Sequence, residues 1–289
     1  MTRDPQFTFP TLYQVLYPTH FLTTGRVIPK LTAFMVPKTR PMDNVPCGWH
    51  LPQEDEFALA TMTLLSPYML TAFPDDFAVH RHTFDFTGTP EARVREWEQA
   101  LDYLIRKITI ATSKGGESKS IVLKSPGHTY RIPVLRRMYP DAKFLYISRQ
   151  PLDVIRSCIH MRKLMVQENE FGRSPLLGHL DEAIMTFQQA FECYERDRLL
   201  VKDGHIHELR FEDLERDPLG ELERTYDGLN LDGFENLREI LEPEVPAMKQ
   251  YKKNTFKPDP EVTSRVCSEL GPAFERFGYT NPQPATRAA

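Results

Sequence analysis

The stretch "KFLYISRQPLDVIRSCIHMRKLM", residues 143–165, sets the strongest limit on what this chain can fold into. "KFLYIS" is a short β-rich run with little polar alternation, the pattern of a strand buried on both faces. Pro151 then suits the first turn of a helix, where its missing N–H costs nothing. Val154, Ile155, Cys158, Ile159 and Met165 follow at helical spacing and give that helix an apolar face. A buried strand feeding an amphipathic helix is the building unit of a parallel sheet. The unit recurs. "IVLK" (121–124) precedes the helical "HTYRIPVLRRMY", with Pro133 in its first turns, and "HIHELRF" (205–211) follows the helical "LDEAIMTFQQAFECYERDRLL". These runs predict an α/β fold with a parallel sheet flanked by helices on both faces.

The remainder fits around that sheet. Residues 1–52 are rich in proline and aromatics and predict short helices with ordered loops. "EDEFALATMTLLSPY" predicts a helix with acids in its first turn, ended by Ser66-Pro67. "PEARVREWEQALDYLIRKITIAT" predicts a long amphipathic helix with Val94, Trp97, Leu101, Leu104 and Ile105 on one face. The last third reads as helices interrupted by prolines 243, 246, 258 and 260. With no repeat and no low-complexity linker, residues 1–289 read as a single domain.

Several function classes recede on composition. A net charge of −4 offers no general nucleic-acid footprint, although a local anion pocket is compatible with it. Cys47, Cys158, Cys193 and Cys267 are scattered without a CxxC pair, as expected of reduced thiols in a cytoplasmic protein. His80 and His82 lack a third ligand nearby, so no metal is expected. No apolar run reaches the roughly 20 residues of a membrane span, and the N-terminus lacks a secretory layout.

In open α/β sheets ligands collect beyond the carboxyl ends of the strands. Lys124 and Ser125 end one predicted strand, Arg149 ends the next, and Ser157 lies one to two turns into the following helix. A guanidinium fork matches phosphate, at about 1.5–3 kcal/mol per charge-assisted hydrogen bond. A hydroxyl and the amides of a helix N-terminus would complete an anion cradle. The plainer reading pairs Arg149 with a carboxylate such as Asp153 and lets Ser157 pack without a role.

The segment "IVLKSPGHTYRIPVLRRMYPDAKFLYISRQPLDVIRS" resembles the nucleotide-binding core of the sulfotransferase superfamily, in the branch that uses 3′-phosphoadenosine 5′-phosphosulfate (PAPS) as co-substrate. "RPMDN", "PQEDEFAL", "SPY" and "ELRFEDLERDP" look like further segments of that family. The resemblance implies a P-loop-NTPase-like sulfotransferase fold and no metal. It also implies that Arg149 and Ser157 hold the 3′-phosphate, with Lys124 and Ser125 at the nucleotide. The family's 5′-phosphosulfate loop, of the P-x-S-G-T-T kind, normally precedes the segment that begins here at Thr11, and the ten residues before it do not contain it. "SKGGESKS" does not match G-x-x-x-x-G-K-[ST] and stands before a strand instead of after one. The expected fold therefore lacks the family's first strand and phosphate loop, and transfer by these residues is expected to be impaired. A non-catalytic relative that binds nucleotide or a partner is the alternative, and the absence of a Walker lysine motif disfavours a P-loop kinase.

Transfer to an alcohol needs a proton acceptor. Glu54, in the cluster Glu54-Asp55-Glu56, is one candidate by resemblance to branches that use a glutamate; His128, beside the proposed pocket, is the other. Their plain readings are a helix N-terminus dressed with acids and a capping or packing histidine. Lys124 would neutralise charge near the transferring group. "QYKKNTFK" (250–257) is basic and aromatic and reads either as a closing loop at the adenine or 3′-phosphate end or as a solvated turn. The expected acceptor is a hydroxyl-bearing small molecule, lipid or glycan; the sequence is silent on oligomeric state.

Overall fold

The run "FLYIS" forms strand β3 (Phe144–Ser148) and "IHELR" forms β4 (Ile206–Arg210). They pair in parallel, with Phe144 opposite Ile206 and Ser148 opposite Arg210. These come from a computed structural model that describes residues 1–40, 43, 45–73, 80–113, 118–169, 179–248 and 253–282. Parallel neighbours need a long crossover, and the helices Pro151–Asn169 and His179–Asp197 lie between the two strands in sequence. A second parallel pair joins β1 (Phe7–Thr8) to β2 (Ser120–Ile121). The chain is thus α/β with parallel strands and flanking helices, as expected. β2 is shorter than the predicted 121–124 run. Its partner offers only two residues, the Val122 N–H bonds back to the Thr8 carbonyl at 2.8 Å, and a 3-10 turn begins at Pro126.

The chain forms two compact units, the first spanning Met1–Arg131 and the second beginning at Ile132. In the first, Tyr13, Val15, Phe21, Ala58, Leu104 and Ile108 form a core cluster. The helix Glu91–Thr112 buries Trp97, Leu101 and Leu104 as predicted, whereas Val94 and Ile105 are only half-buried. Lys107 is buried on the same helix, which the apolar pattern does not anticipate. Its ammonium donates to the carbonyls of Pro18 at 2.6 Å and Thr19 at 2.8 Å and lies 4.7 Å from the Phe21 ring centre. A buried cation persists when its donors are taken up in this way.

The helix Glu56–Thr63 stops sooner than Ser66-Pro67. Leu64 caps it in the left-handed region with φ 56°, and the Leu65 N–H bonds to the Thr63 hydroxyl at 3.1 Å. A leucine in that region costs roughly 1–2 kcal/mol, which the surrounding hydrogen bonds offset. "HTYRIPVLRRMY" also divides, into a 3-10 turn over Pro126–Tyr130 and, after Arg131, the helix Ile132–Met138.

The second unit packs its helices into one apolar cluster. Leu152 and Ile155 meet Ala183 and Ile184, together with Val266 and Phe274 from the helices Pro260–Glu269 and Gly271–Arg276. Ile155 and its neighbours Cys158 and Ile159 belong to the predicted face of the Pro151–Asn169 helix. Among the described residues, no helix is long and apolar enough to cross a membrane.

Candidate functional site

The three consecutive acids of the first unit occupy three different environments. Glu54, whose side chain is 12% exposed, is contacted at one oxygen by the Lys124 ammonium and at the other by the Tyr68 hydroxyl. Lys124 itself is largely exposed, so this pair is open to solvent on one side. Asp55 is fully buried, and its Oδ2 lies 2.9 Å from His128 Nε2. Charge attraction and a hydrogen bond with Asp55 both favour the protonated imidazole. Burial alone would lower the imidazole pKa, but the Asp55 carboxylate, helped by Glu56, outweighs burial and the opposing Arg131. His128 is held above its ordinary value.

Glu56 is the scaffold of the three. It receives Arg131 through two nitrogens, at 2.8 and 3.3 Å, with both side chains completely buried. The remaining guanidinium donors reach the Phe84 carbonyl at 3.0 Å and the Thr83 carbonyl at 2.7 Å. Trp97 and Phe86 lie against its faces, at 4.8 and 4.7 Å. Gly127 packs closely beside this pair: a Cβ there would stand 3.0 Å from Glu56 Oε2 and 3.5 Å from Arg131 Nη1. Ser125 caps the 3-10 turn, its hydroxyl accepting from the Gly127 N–H at 3.2 Å.

In the second unit Arg149 follows the last residue of β3, at the carboxyl end of the strand. It is half-buried, with its guanidinium 4.7 Å from the centre of the Phe211 ring. Among the described residues no carboxylate pairs with it, Asp153 included. Glu212, the residue after Phe211, accepts from the Gln150 N–H at 3.0 Å and from the Tyr279 hydroxyl at 2.8 Å, which fixes the backbone just past Arg149. Ser157 is half-buried on the Pro151–Asn169 helix, and its hydroxyl has no hydrogen-bond partner among the described residues.

Lys253 adds a second cation to the Phe211 ring, at 5.5 Å, while pairing with Glu215 at 2.6 Å. It belongs to "QYKKNTFK", whose residues 250–252 lie outside the described residues, as do residues 114–117 of "SKGGESKS". Phe211 closes the predicted run 205–211 and Glu212 follows it, but neither is a predicted site residue. The available signal was their position: they follow β4 directly and so reach the same carboxyl edge as Arg149. A basic cleft of about 230 Å³, lined by Arg136, Arg137, Lys202 and His205, lies at the other end of these strands and does not include Arg149. No group of three or more metal-ligating side chains gathers among the described residues.

In the second unit the donors suit an anion rich in oxygen: Arg149 has edge donors not engaged by acid among the described residues, and Ser157 offers a hydroxyl.

Residues 43–236 match the model of a sulfotransferase family. The chain is 32% identical over 284 residues to the omega-hydroxy-beta-dihydromenaquinone-9 sulfotransferase Stf3 of Mycobacterium tuberculosis, covering 98% of this chain and 72% of that protein. The Mycobacterium bovis Stf3 matches equally. Among solved structures, the sulfotransferase STF9 from Mycobacterium avium is similar in fold, with a TM-score of 0.69 at 17% identity over 96% of this chain and 72% of the other. The sulfotransferase STF1 from Mycobacterium tuberculosis gives 0.55 at 16% identity, over 96% and 70%.

Proposed function

The chain belongs to the sulfotransferase family, and on that premise we propose that it binds PAPS through the ribose 3′-phosphate and serves sulfuryl transfer to a hydroxyl on a lipid-like acceptor. The observation that carries this reading is the Arg149 guanidinium at the carboxyl end of β3, stacked on Phe211 with no paired carboxylate among the described residues. Such a group has its edge donors available for phosphate. Ser157 supplies the second donor. The resemblance that assigns both residues to the 3′-phosphate also treats residues 1–289 as one catalytic domain.

For the acceptor we assign Glu54 as base and His128 as its support. His128 is committed to the buried Asp55, whose Oδ2 lies 2.9 Å from its Nε2, which leaves that nitrogen less accessible to an acceptor hydroxyl than Glu54. Glu54 reaches solvent and is oriented by Tyr68 and Lys124. In the step, Glu54 takes the hydroxyl proton and the acceptor oxygen forms a bond to sulfur. The bond from sulfur to the 5′-phosphate oxygen breaks, and 3′-phosphoadenosine 5′-phosphate (PAP) leaves with the electron pair. Lys124 offsets the charge that develops. A relative that binds nucleotide without transferring sulfate is the second reading. Stf3, by its name, acts on an omega-hydroxylated dihydromenaquinone, which motivates the lipid-like acceptor. The four free cysteines support a cytoplasmic setting.

Equilibrium binding of PAP against adenosine 5′-monophosphate tests the assignment. Two charge-assisted bonds to the 3′-phosphate predict a preference of about 10²–10⁴-fold for PAP. Equal affinity for the two nucleotides overturns it. Sulfuryl transfer from PAPS by the 289-residue chain alone would exclude the non-catalytic reading and the expected impairment.

A further inference from the structure

We propose that residues 22–38 form a docking surface for an anionic lipid bilayer. The segment carries large apolar side chains into solvent: Phe34 is 86% exposed, Met35 66%, Leu31 65% and Val27 55%. With Ile28, these residues follow the spacing 27, 28, 31, 34, 35, which gathers side chains on one side of a helical path. The short helix Ile28–Leu31 and the 3-10 turn Ala33–Met35 supply that path, and Pro29, on its other side, is the buried residue.

The presentation is ordered from below. Trp49 Nε1 donates to the Thr32 carbonyl at 3.2 Å, the Tyr13 hydroxyl donates to Thr24 Oγ1 at 2.8 Å, and Lys107 holds the Pro18 and Thr19 carbonyls. A chain segment fixed this firmly could have turned its apolar side inward, yet the core beneath is filled by Tyr13, Val15 and Phe21.

Charge selects the occupant. No aspartate or glutamate occurs between Asp4 and Asp43, whereas Arg26, Lys30, Lys38 and Arg40 do. Arg26, Lys30 and Lys38 are exposed. Exposed apolar side chains on a segment that carries cations and no acids match the boundary between acyl chains and anionic headgroups. Membrane contact of this kind stands independently of the transfer chemistry. It would also bring a lipid-borne hydroxyl to the protein without extraction into water.

The test is flotation of the full chain with vesicles of neutral phosphatidylcholine, and with the same lipid containing about 30% phosphatidylglycerol. The chain is expected to float with the anionic vesicles, and to partition at least about tenfold less into the neutral ones. Combined Leu31→Ser, Phe34→Ser and Met35→Ser substitution is expected to lower anionic-vesicle partitioning about tenfold or more, with the thermal melt and PAP affinity unchanged. Arg26→Gln with Lys30→Gln and Lys38→Gln is a second, independent variant, expected to erase the preference for anionic vesicles. The proposal is overturned if the wild-type chain stays unbound with both vesicles, or if neither variant changes its partitioning. It is also overturned if the apolar substitutions instead dissociate a dimer of the chain that shows no vesicle binding. Any of these leaves the nucleotide assignment intact, because PAP binding is read separately.

Discussion

Arg131 and Arg149 are the same side chain used in two ways. Both rest on aromatic rings, at 4.7–4.8 Å in the first unit and 4.7 Å in the second. Arg131 is fully buried, and its donors are consumed by Glu56 and by the carbonyls of Thr83 and Phe84. Arg149 is half-buried, and its ring contact leaves the donor edge unclaimed by acid among the described residues. A guanidinium with all partners internal is scaffold, since any ligand would have to displace bonds already made. One held only through its face is positioned yet still able to bind an oxyanion. Residue type and aromatic stacking do not separate the two; burial and the partner list do.

The sharpest way to break this contrast is to cut the scaffold pair. Arg131→Ala leaves Glu56 charged and buried, and about 3–5 kcal/mol of stability should be lost in urea denaturation. A loss below about 1 kcal/mol would show that Arg131 is not scaffold. The neighbouring His128–Asp55 pair makes a directional claim about pH. Because the folded pKa of His128 is raised, its contribution is complete below the unfolded value and fades as pH rises through the folded one. Asp55→Asn leaves burial as the dominant influence, so the dependence should reverse and stability should fall on acidification. Paired urea titrations across the neutral range read both slopes; identical slopes would contradict the pairing. Ser157→Ala should weaken PAP binding by about ten- to a hundredfold, the worth of one hydrogen bond to a charged phosphate, and leave the melt unchanged. The smallest effect belongs to Lys124→Ala, whose exposed pair with Glu54 should cost no more than about 1 kcal/mol in denaturation.

The strands and long helices were legible because hydrophobic period is a local property. "FLYIS" and "IHELR" became strands within a residue of the expected bounds, and the Glu91–Thr112 helix kept its predicted core of Trp97, Leu101 and Leu104. What escaped depends on distant partners. Lys107 reads as a surface residue until the Pro18 and Thr19 carbonyls, distant in sequence, are brought to its ammonium. Leu64 as a left-handed cap replaced the expected Ser66-Pro67 stop because side-chain bonds from Thr63 compete with proline as a terminator. For the site, Arg149 and Ser157 were visible from strand-end logic and family resemblance. Phe211 was not, since stacking beneath Arg149 is fixed only once β4 pairs with β3. The acids 54–56 show the same limit. Three adjacent carboxylates look alike in sequence, and only Lys124, His128 and Arg131 tell them apart.

Calorimetric titration of PAP into the wild-type chain and Arg149→Ala tests the central claim most directly. The wild-type chain should bind, and the variant should lose about tenfold or more in affinity while its melting temperature stays within about 2 °C of the parent. Unchanged affinity in a folded variant would contradict the account.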